Sequence, residues 1–80
     1  MKILVTGCCG FIGTNLCLSL LKKESNVIYG IDNFTDNYNI TYKKENYEEL
    51  KNYTNFHFYN ENVLGSNIIK ETKPDIIVHL

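Results

Sequence analysis

The stretch of sequence that decides the fold is Thr6-Gly7-Cys8-Cys9-Gly10-Phe11-Ile12-Gly13, which follows a short apolar run and opens a helix-like segment. Its three glycines recur at every third position, and each meets a different requirement of a dinucleotide-binding loop. Gly7 permits a tight turn off a strand, Gly10 lets the backbone approach a pyrophosphate, and Gly13 lets a helix pack closely on the sheet. The free N–H groups at the start of that helix would face the anion. The motif therefore predicts a strand, a phosphate-binding loop and a helix.

Strand-like apolar runs alternate with helix-like segments along the rest of the chain. The run at 3–5 is typical of a strand buried on both faces of a parallel sheet. Such alternation indicates an α/β fold with right-handed crossovers. We predict the order β-α-β-α-β-α-β, with strands at 3–5, 27–31, 56–59 and 76–80, helices at 11–23, 42–52 and 66–72, and a loop at 33–41. Ser66 is expected to cap the third helix, and Pro74 to end it.

A carboxylate closes the second predicted strand. Asp32 lies 19 residues after Gly13, where dinucleotide-binding folds place an acidic residue that accepts hydrogen bonds from the adenosine ribose. A carboxylate there would repel the 2′-phosphate of NADP, and the chain has no Arg to meet such a phosphate. Asp32 therefore favours NAD over NADP. The alternative is a strand-end aspartate that only starts a turn.

The composition argues against several classes of protein. With 80 residues, a formal net charge of −1 and no Arg, the chain lacks the clustered basic residues of a nucleic-acid-binding surface. No apolar run reaches the ~18 residues of a membrane-spanning helix, and the run at the start is too short for a signal peptide. Three cysteines form no complete set of disulfide pairs and fit a reducing compartment. We therefore expect a cytoplasmic protein without nucleic-acid or membrane partners.

Three segments together resemble a known enzyme family. The glycine loop (residues 6–13), Ile31-Asp32-Asn33-Phe34 and the segment 74–80 are similar to those of the NAD-dependent nucleotide-sugar epimerases and dehydratases, in the extended short-chain dehydrogenase family. The resemblance spans the whole chain, and the run 32–39 is most similar to UDP-glucuronate 4-epimerases. It implies a Rossmann-type sheet of which residues 1–80 form the N-terminal part, incomplete at the C-terminus. It also implies NAD as the cofactor, oxidation and reduction of a UDP-sugar at C4, and a homodimer for the intact enzyme.

Two other functions remain open from the sequence. A dTDP-glucose 4,6-dehydratase-like enzyme would share this segment and differ in residues beyond Leu80. A truncated remnant would bind the nucleotide without catalysis. The family's catalytic Ser or Thr and its Tyr-x-x-x-Lys pair have no matching positions here, so we assign no catalytic residue and leave open whether the chain alone is an enzyme.

The resemblance assigns cofactor contacts to ten residues: Gly7, Gly10, Phe11, Ile12, Gly13, Asp32, Asn33, Asn62, Val63 and Leu80. At the adenine position the family usually has an aspartate preceded by glycine, whereas this chain has Asn62 preceded by Glu61. An asparagine carbonyl still accepts a hydrogen bond from the adenine amino group, but without a charge. The alternative is that Asn62 is an ordinary turn residue.

Other reactive side chains are expected to have structural roles. Tyr47 and Lys51 have the Tyr-x-x-x-Lys spacing but lie between the second and third strands, away from the strand ends. Cys8 and Cys9 occupy the variable loop positions, and a redox-sensitive pair is the alternative because a helix N-terminus can lower a thiol pKa. The two histidines have no Cys or acidic partners at metal-binding spacing, so we predict no metal site.

The predicted second helix carries alternating charges. Its lysines, Lys43, Lys44 and Lys51, are interspersed with glutamates. Such a pattern is typical of a solvated helix face rather than an anion site. We therefore expect all three lysines to be exposed.

Overall fold

A four-stranded parallel sheet forms the centre of the molecule. The computed structural model describes residues 1–34 and 40–80. Its strands are β1 (Lys2–Thr6), β2 (Val27–Ile31), β3 (Phe56–Tyr59) and β4 (Ile76–Val78), and its helices are α1 (Phe11–Leu21), α2 (Ile40–Leu50) and α3 (Ile68–Thr72), with a 3₁₀ turn at Val63–Gly65.

The strand order places a reversal of direction beside β1. The order is β3-β2-β1-β4, with every pair parallel. Lys2 lies opposite Val27 and Thr6 opposite Ile31, while Leu4 lies opposite Ile77 on the other side. The chain thus moves outward from β1 to β3 and returns to the far side of β1. In open parallel sheets, the crevice at the carboxyl ends of the strands at such a reversal is where ligands bind. The predicted α/β fold and element order are confirmed.

Side chains of β1 are buried on both faces of the sheet, as predicted. Ile3 and Val5 belong to a core cluster that α1 and α2 complete with Cys17 and Leu50. Leu4, on the opposite face, packs with Ile31 of β2 and Ile68 of α3. By contrast, Ile76 and Ile77 of the edge strand β4 are 44% and 48% exposed.

The first two helices differ from the predicted boundaries. Helix α1 ends at Leu21 and not at residue 23, because the Lys23 N–H and the Asn26 side-chain amide both donate to the Leu20 carbonyl. Helix α2 begins and ends two residues earlier than 42–52. The predicted loop at 33–41 includes residues 35–39, which lie outside the described part of the chain. Most of the run 32–39, on which the similarity to UDP-glucuronate 4-epimerases was based, therefore also lies outside it.

The last two elements are shorter than predicted. Helix α3 begins at Ile68 with Asn67 as its N-cap, although the Ser66 hydroxyl does accept the Ile68 N–H at 3.1 Å. The 3₁₀ turn before it was not predicted. Strand β4 ends at Val78 because the Leu80 N–H donates to the Thr6 hydroxyl, at 2.9 Å, instead of continuing the ladder.

Candidate functional site: the cleft at the carboxyl ends of the strands

The glycine loop leaves β1 through a tight turn. Gly7 has φ +66°, a conformation that favours glycine. Its N–H donates to the Ile31 carbonyl at 2.8 Å, and the Gly10 N–H closes the turn on the Gly7 carbonyl at 3.1 Å. The Thr14 hydroxyl donates to the Cys8 carbonyl at 3.0 Å and joins the loop to α1. These bonds hold the loop over the ends of β1 and β2.

Gly10 and Gly13 face different surroundings. A Cβ on Gly13 would overlap the Gly7 carbonyl and lie 2.9 Å from the Cys8 Cα, so Gly13 allows α1 to pack against the loop. A Cβ on Gly10 would meet only the Gly7 carbonyl oxygen, at 3.4 Å. The absent side chain at Gly10 therefore leaves open space rather than relieving a clash within the protein.

The N-terminal end of α1 is available to an anion. Its N-cap, Gly10, makes no side-chain cap, and the first turn contains no acidic residue. Phe11 and Ile12 are both 66% exposed at this end. The first-turn N–H groups of an 11-residue helix thus open towards the cleft with the positive end of the helix dipole.

The Asp32 carboxylate is buried at the end of β2. Its Oδ2 accepts the Cys9 N–H at 3.2 Å, and its Oδ1 accepts the Phe34 N–H at 3.1 Å. The ammonium group of Lys43 also donates to Oδ1, at 3.0 Å. Asp32 therefore starts a turn, which is the alternative role that the sequence leaves open for it. Its bond with the Cys9 N–H also connects the glycine loop to the end of β2.

Two adjoining cavities lie along this edge of the sheet. The first, of about 140 Å³, is lined by Thr6, Gly7, Ile31, Asp32, Asn33, Glu61, Asn62, His79 and Leu80. The second, of about 330 Å³, is lined by Gly7, Gly10, Phe11, Ile12, Gly13, Lys43 and Leu80. The structure thus brings nine of the ten predicted cofactor residues to one cleft. The side chain of the tenth, Val63, lies outside the described part of the structure.

Asn62 has a turn role at the rim of the first cavity. Its side-chain oxygen accepts the Leu64 N–H at 3.0 Å, and its backbone carbonyl accepts the Gly65 N–H at 3.1 Å. These two bonds start the 3₁₀ turn. A carbonyl oxygen has two lone pairs, so one acceptor position of the side chain is left for a ligand.

At the first cavity, the Thr6 hydroxyl connects the end of β1 to the residues that follow β4. Thr6 Oγ1 lies 2.9 Å from His79 Nδ1 and accepts the Leu80 N–H at 2.9 Å. Since its oxygen accepts from Leu80, its proton can be donated to an unprotonated Nδ1. This junction fixes Leu80 at the point that both cavities share.

Two residues of α2, Lys43 and Asn46, complete the site, and neither is among the residues that the sequence predicts for it. Lys43 is buried against Asp32, so its predicted exposure is wrong. The Asn46 amide donates to the Cys9 carbonyl at 2.8 Å. Lys43 stands four residues before Tyr47 and Asn46 four residues before Leu50, and Tyr47 and Leu50 are side chains of this helix that pack in or against the core. That spacing was the available signal, and the surrounding charged residues obscured it.

The cysteines of the loop are part of the core. Cys8, Cys9 and Cys17 are free and buried, with Cys8 Sγ 3.8 Å from Cys9 Sγ. The hydrogen bond to Cys9 and burial raise the pKa of Cys8 well above its usual range, and burial raises the pKa of Cys17 to about 12. Cys8 also fills the space beside Gly30, where a Cβ would lie 2.7 Å from its sulfur. These features favour packing over the redox-sensitive pair.

Neither the Tyr-x-x-x-Lys pair nor a metal cluster belongs to the cleft. Tyr47 stacks obliquely on Phe58, with 4.6 Å between ring centroids, and Lys51 pairs with Glu48 at 2.6 Å. Within residues 1–34 and 40–80, no three His, Cys, Asp or Glu side chains are grouped so that they could hold a metal ion. In the same part of the chain, no helix has the length and apolar character to cross a membrane.

Comparison with known proteins agrees with this geometry. The family model for GDP-mannose 4,6 dehydratase matches residues 4–80. An uncharacterised UDP-glucose epimerase, YtcB of Bacillus subtilis, is 40% identical over 81 residues, which cover 100% of this chain and 26% of that protein. The chain therefore spans about a quarter of the length of this relative.

Solved structures give the same result. The Bacillus cereus UDP-glucuronic acid 4-epimerase, in complex with UDP-glucuronic acid and NAD, superposes with a TM-score of 0.92 at 40% identity, over 100% of this chain and 26% of that one. The Bacillus anthracis dTDP-glucose 4,6-dehydratase, in complex with NAD, gives 0.81 at 30% identity with the same coverage. The chain thus belongs to the family of NAD-dependent nucleotide-sugar epimerases and dehydratases, and it corresponds to the N-terminal region of that family's members.

Proposed function

We propose that this chain is the NAD-binding part of a nucleotide-sugar 4-epimerase that acts on a UDP-sugar of the UDP-glucuronate or UDP-glucose type. The observation that carries the proposal is the convergence of nine predicted cofactor residues on one cleft. The Bacillus cereus epimerase also superposes on the chain with a higher TM-score than the Bacillus anthracis dehydratase. This difference favours the epimerase over the dehydratase alternative.

The residues of the cleft fit a dinucleotide. The open end of α1 and the space above Gly10 suit a pyrophosphate. Asp32 and Asn33, at the end of β2, offer acceptors to the adenosine ribose, and Asn62 offers one to adenine. When bound, NAD supplies the acceptor for a hydride from C4 of the sugar. The role of this chain is to bind and orient the cofactor, since it holds no match to the family's catalytic tyrosine.

The intact protein is proposed to be a homodimer, as the family resemblance implies, and a cytoplasmic protein without nucleic-acid or membrane partners, as the composition indicates. Residues 1–80 are proposed to be the N-terminal part of its Rossmann domain. The alternative is a remnant that binds the nucleotide without catalysis. The chimera described below distinguishes this alternative from the proposal.

Titration of the isotope-labelled chain with NAD, followed by NMR, tests binding. The expected result is weak, saturable shifts of the backbone amides of Gly7, Gly10 and Asp32, without comparable shifts in Lys51, which lies outside the cleft. Shifts spread evenly over the molecule, or none at high NAD concentration, would contradict the proposed site.

A chimera tests the activity. Residues 1–80 would replace the matching quarter of the Bacillus cereus epimerase, whose structure superposes over this whole chain. The chimera is expected to bind NAD and to interconvert the 4-epimers of UDP-glucuronic acid. A folded chimera that binds NAD but shows no interconversion would favour the non-catalytic remnant, and one that does not bind NAD would overturn the proposal.

A further inference from the structure

The side chain of Asn62 is held in one orientation at the rim of the first cavity. Its Oδ1 accepts the Leu64 N–H at 3.0 Å, and its backbone carbonyl accepts the Gly65 N–H at 3.1 Å. The oxygen of an amide accepts hydrogen bonds and its nitrogen donates them. A rotation that exchanged the two atoms would therefore break the bond to Leu64, and the 3₁₀ turn fixes which of them stands on which side.

The free hydrogen-bonding positions of this amide are one acceptor and its donors. Oδ1 keeps one lone pair, and within residues 1–34 and 40–80 no protein group accepts a hydrogen bond from Nδ2. The side chain is exposed and lines the cavity together with Asp32, which follows β2. Asn62 thus offers an acceptor and a donor, side by side and in a fixed order, to a ligand in the cavity.

Adenine carries the complementary order of groups. Its amino group at position 6 donates a hydrogen bond, and the adjacent ring nitrogen N1 accepts one. Asparagine pairs in this way with the amino group and an adjacent ring nitrogen of adenine in protein–DNA complexes. Hypoxanthine has the opposite order, with a carbonyl at position 6 and a proton on N1. Against the fixed amide of Asn62, each of these two groups would face a group of its own kind.

We propose that Asn62 makes the cavity selective for a 6-aminopurine over a 6-oxopurine, with Oδ1 accepting from the amino group and Nδ2 donating to N1. The inference rests on the proposed NAD-binding function, and it identifies the residue that distinguishes the base. The aspartate that the family usually has at this position offers acceptors alone. Asn62 therefore contacts two positions of the base, where a carboxylate would match only one.

Replacement of the amide by a carboxylate separates the two bonds. In Asn62→Asp, one oxygen can still accept the Leu64 N–H, so the turn keeps its bond, while an acceptor takes the place of the Nδ2 donor. Adenine would then match at its amino group and be repelled at N1. Hypoxanthine would match at N1 and be repelled at its carbonyl. Because each base has one match and one mismatch, this variant is expected to lose the selectivity.

Two dinucleotides test the proposal in the full 80-residue chain. NAD and nicotinamide hypoxanthine dinucleotide have the same charge and differ only in the base, so the ratio of their dissociation constants, measured by NMR titration, reports base selectivity. The unmodified chain is expected to bind NAD about 10-fold more tightly, as for the net loss of one or two hydrogen bonds. In Asn62→Asp the ratio is expected to fall to within about twofold of one. The Leu64 amide resonance shows whether the turn persists in this variant.

A matched control makes the same charge change outside the cavity. Asn60 is exposed, two residues away, and does not line the cavity, so Asn60→Asp should leave the ratio unchanged. Equal binding of the two dinucleotides by the unmodified chain would overturn the inference and leave the NAD-binding function standing, with Asn62 as a turn residue only. An unchanged ratio in Asn62→Asp would overturn it as well. If the unmodified chain binds neither dinucleotide, the proposed function fails, and this inference fails with it.

Discussion

Two of the loop glycines act on different properties of the molecule. Gly13 has no room for a side chain, since a Cβ there would overlap the Gly7 carbonyl. Gly13→Ala is therefore expected to lower the free energy of unfolding by about 3 kcal/mol, as for overpacking of a close contact. Gly65→Ala is the matched control, because nothing lies within 4 Å of a Cβ at Gly65. Urea unfolding of both variants checks this, and equal losses would contradict it.

Gly10 is expected to matter for binding more than for folding. A Cβ at Gly10 would make one contact, at 3.4 Å, within the protein and would project into open space. Gly10→Val should abolish NAD binding while the unfolding transition stays cooperative. Cys9→Ala should bind NAD as the unmodified chain does but lose about 1 kcal/mol of stability, since Cys9 is a buried core residue. NMR titration and urea unfolding measure both effects, and loss of NAD binding in Cys9→Ala would contradict these roles.

Because of Cys17, the free energy of unfolding is expected to depend on pH in the alkaline range. Burial raises its pKa from 9.0 to about 12, so the folded state holds the thiol proton more tightly than the unfolded state. Its contribution is complete below pH 9 and is lost as the pH rises towards 12. Chemical unfolding between these values should show stability falling with pH, with a smaller slope in Cys17→Ala. An identical slope in the two proteins would refute the assignment.

Among single residues, the sequence predicted those whose role follows from the lack of a side chain or from a position at the end of a strand. The three glycines and Asp32 follow from spacing relative to strands, which is local information. Lys43 and Asn46 could not be placed this way, because their roles depend on how α2 packs over the loop. A lysine among glutamates looks solvated until the fold places it against Asp32.

Helix α2 is attached to the glycine loop by a side-chain hydrogen bond. Its Asn46 amide donates to the Cys9 carbonyl at 2.8 Å, in a partly buried position. Asn46→Ala should cost about 1–2 kcal/mol by leaving that carbonyl unpaired. Asn52→Ala is the control, because Asn52 makes a similar bond to the Glu48 carbonyl in an exposed position, and should cost less than about 0.5 kcal/mol. Thermal unfolding compares the stability of the two variants. A larger loss for Asn52→Ala would argue against a stabilising role of the bond from Asn46 to the loop.

The strands were easier to predict than the helix ends. Strands at 27–31 and 56–59 have the predicted bounds, because β-branched and aromatic runs stand between polar residues. The helix ends moved by up to two residues because tertiary bonds, such as that from Asn26 to the Leu20 carbonyl, compete with the helix. The 3₁₀ turn depends on the side chain of Asn62 and carries little signal in the sequence.

For the whole molecule, we expect weak binding of NAD and no turnover. The sheet supplies one edge of the proposed cofactor cleft, and the chain contains no match to the family's catalytic tyrosine. The purified 80-residue chain should convert neither UDP-glucuronic acid nor UDP-glucose to its 4-epimer, as chromatography of the reaction mixture would show. The Bacillus cereus epimerase, assayed alongside, is the positive control. Any turnover by the 80-residue chain would mean that catalysis does not need the missing tyrosine.

The hydrogen bond from the Leu80 N–H to the Thr6 hydroxyl joins residues 74 positions apart. Strand β1 can pair with β2 as soon as residue 31 is available, but its other edge stays open until β4 has been synthesised. Pairing over such a separation carries a large loop-closure entropy and is slow. Within residues 1–80, the cleft at the carboxyl ends of the strands is therefore complete only after β4 has paired with β1. During this interval the nascent chain exposes the unpaired edge of its central strand, where a chaperone would be most effective.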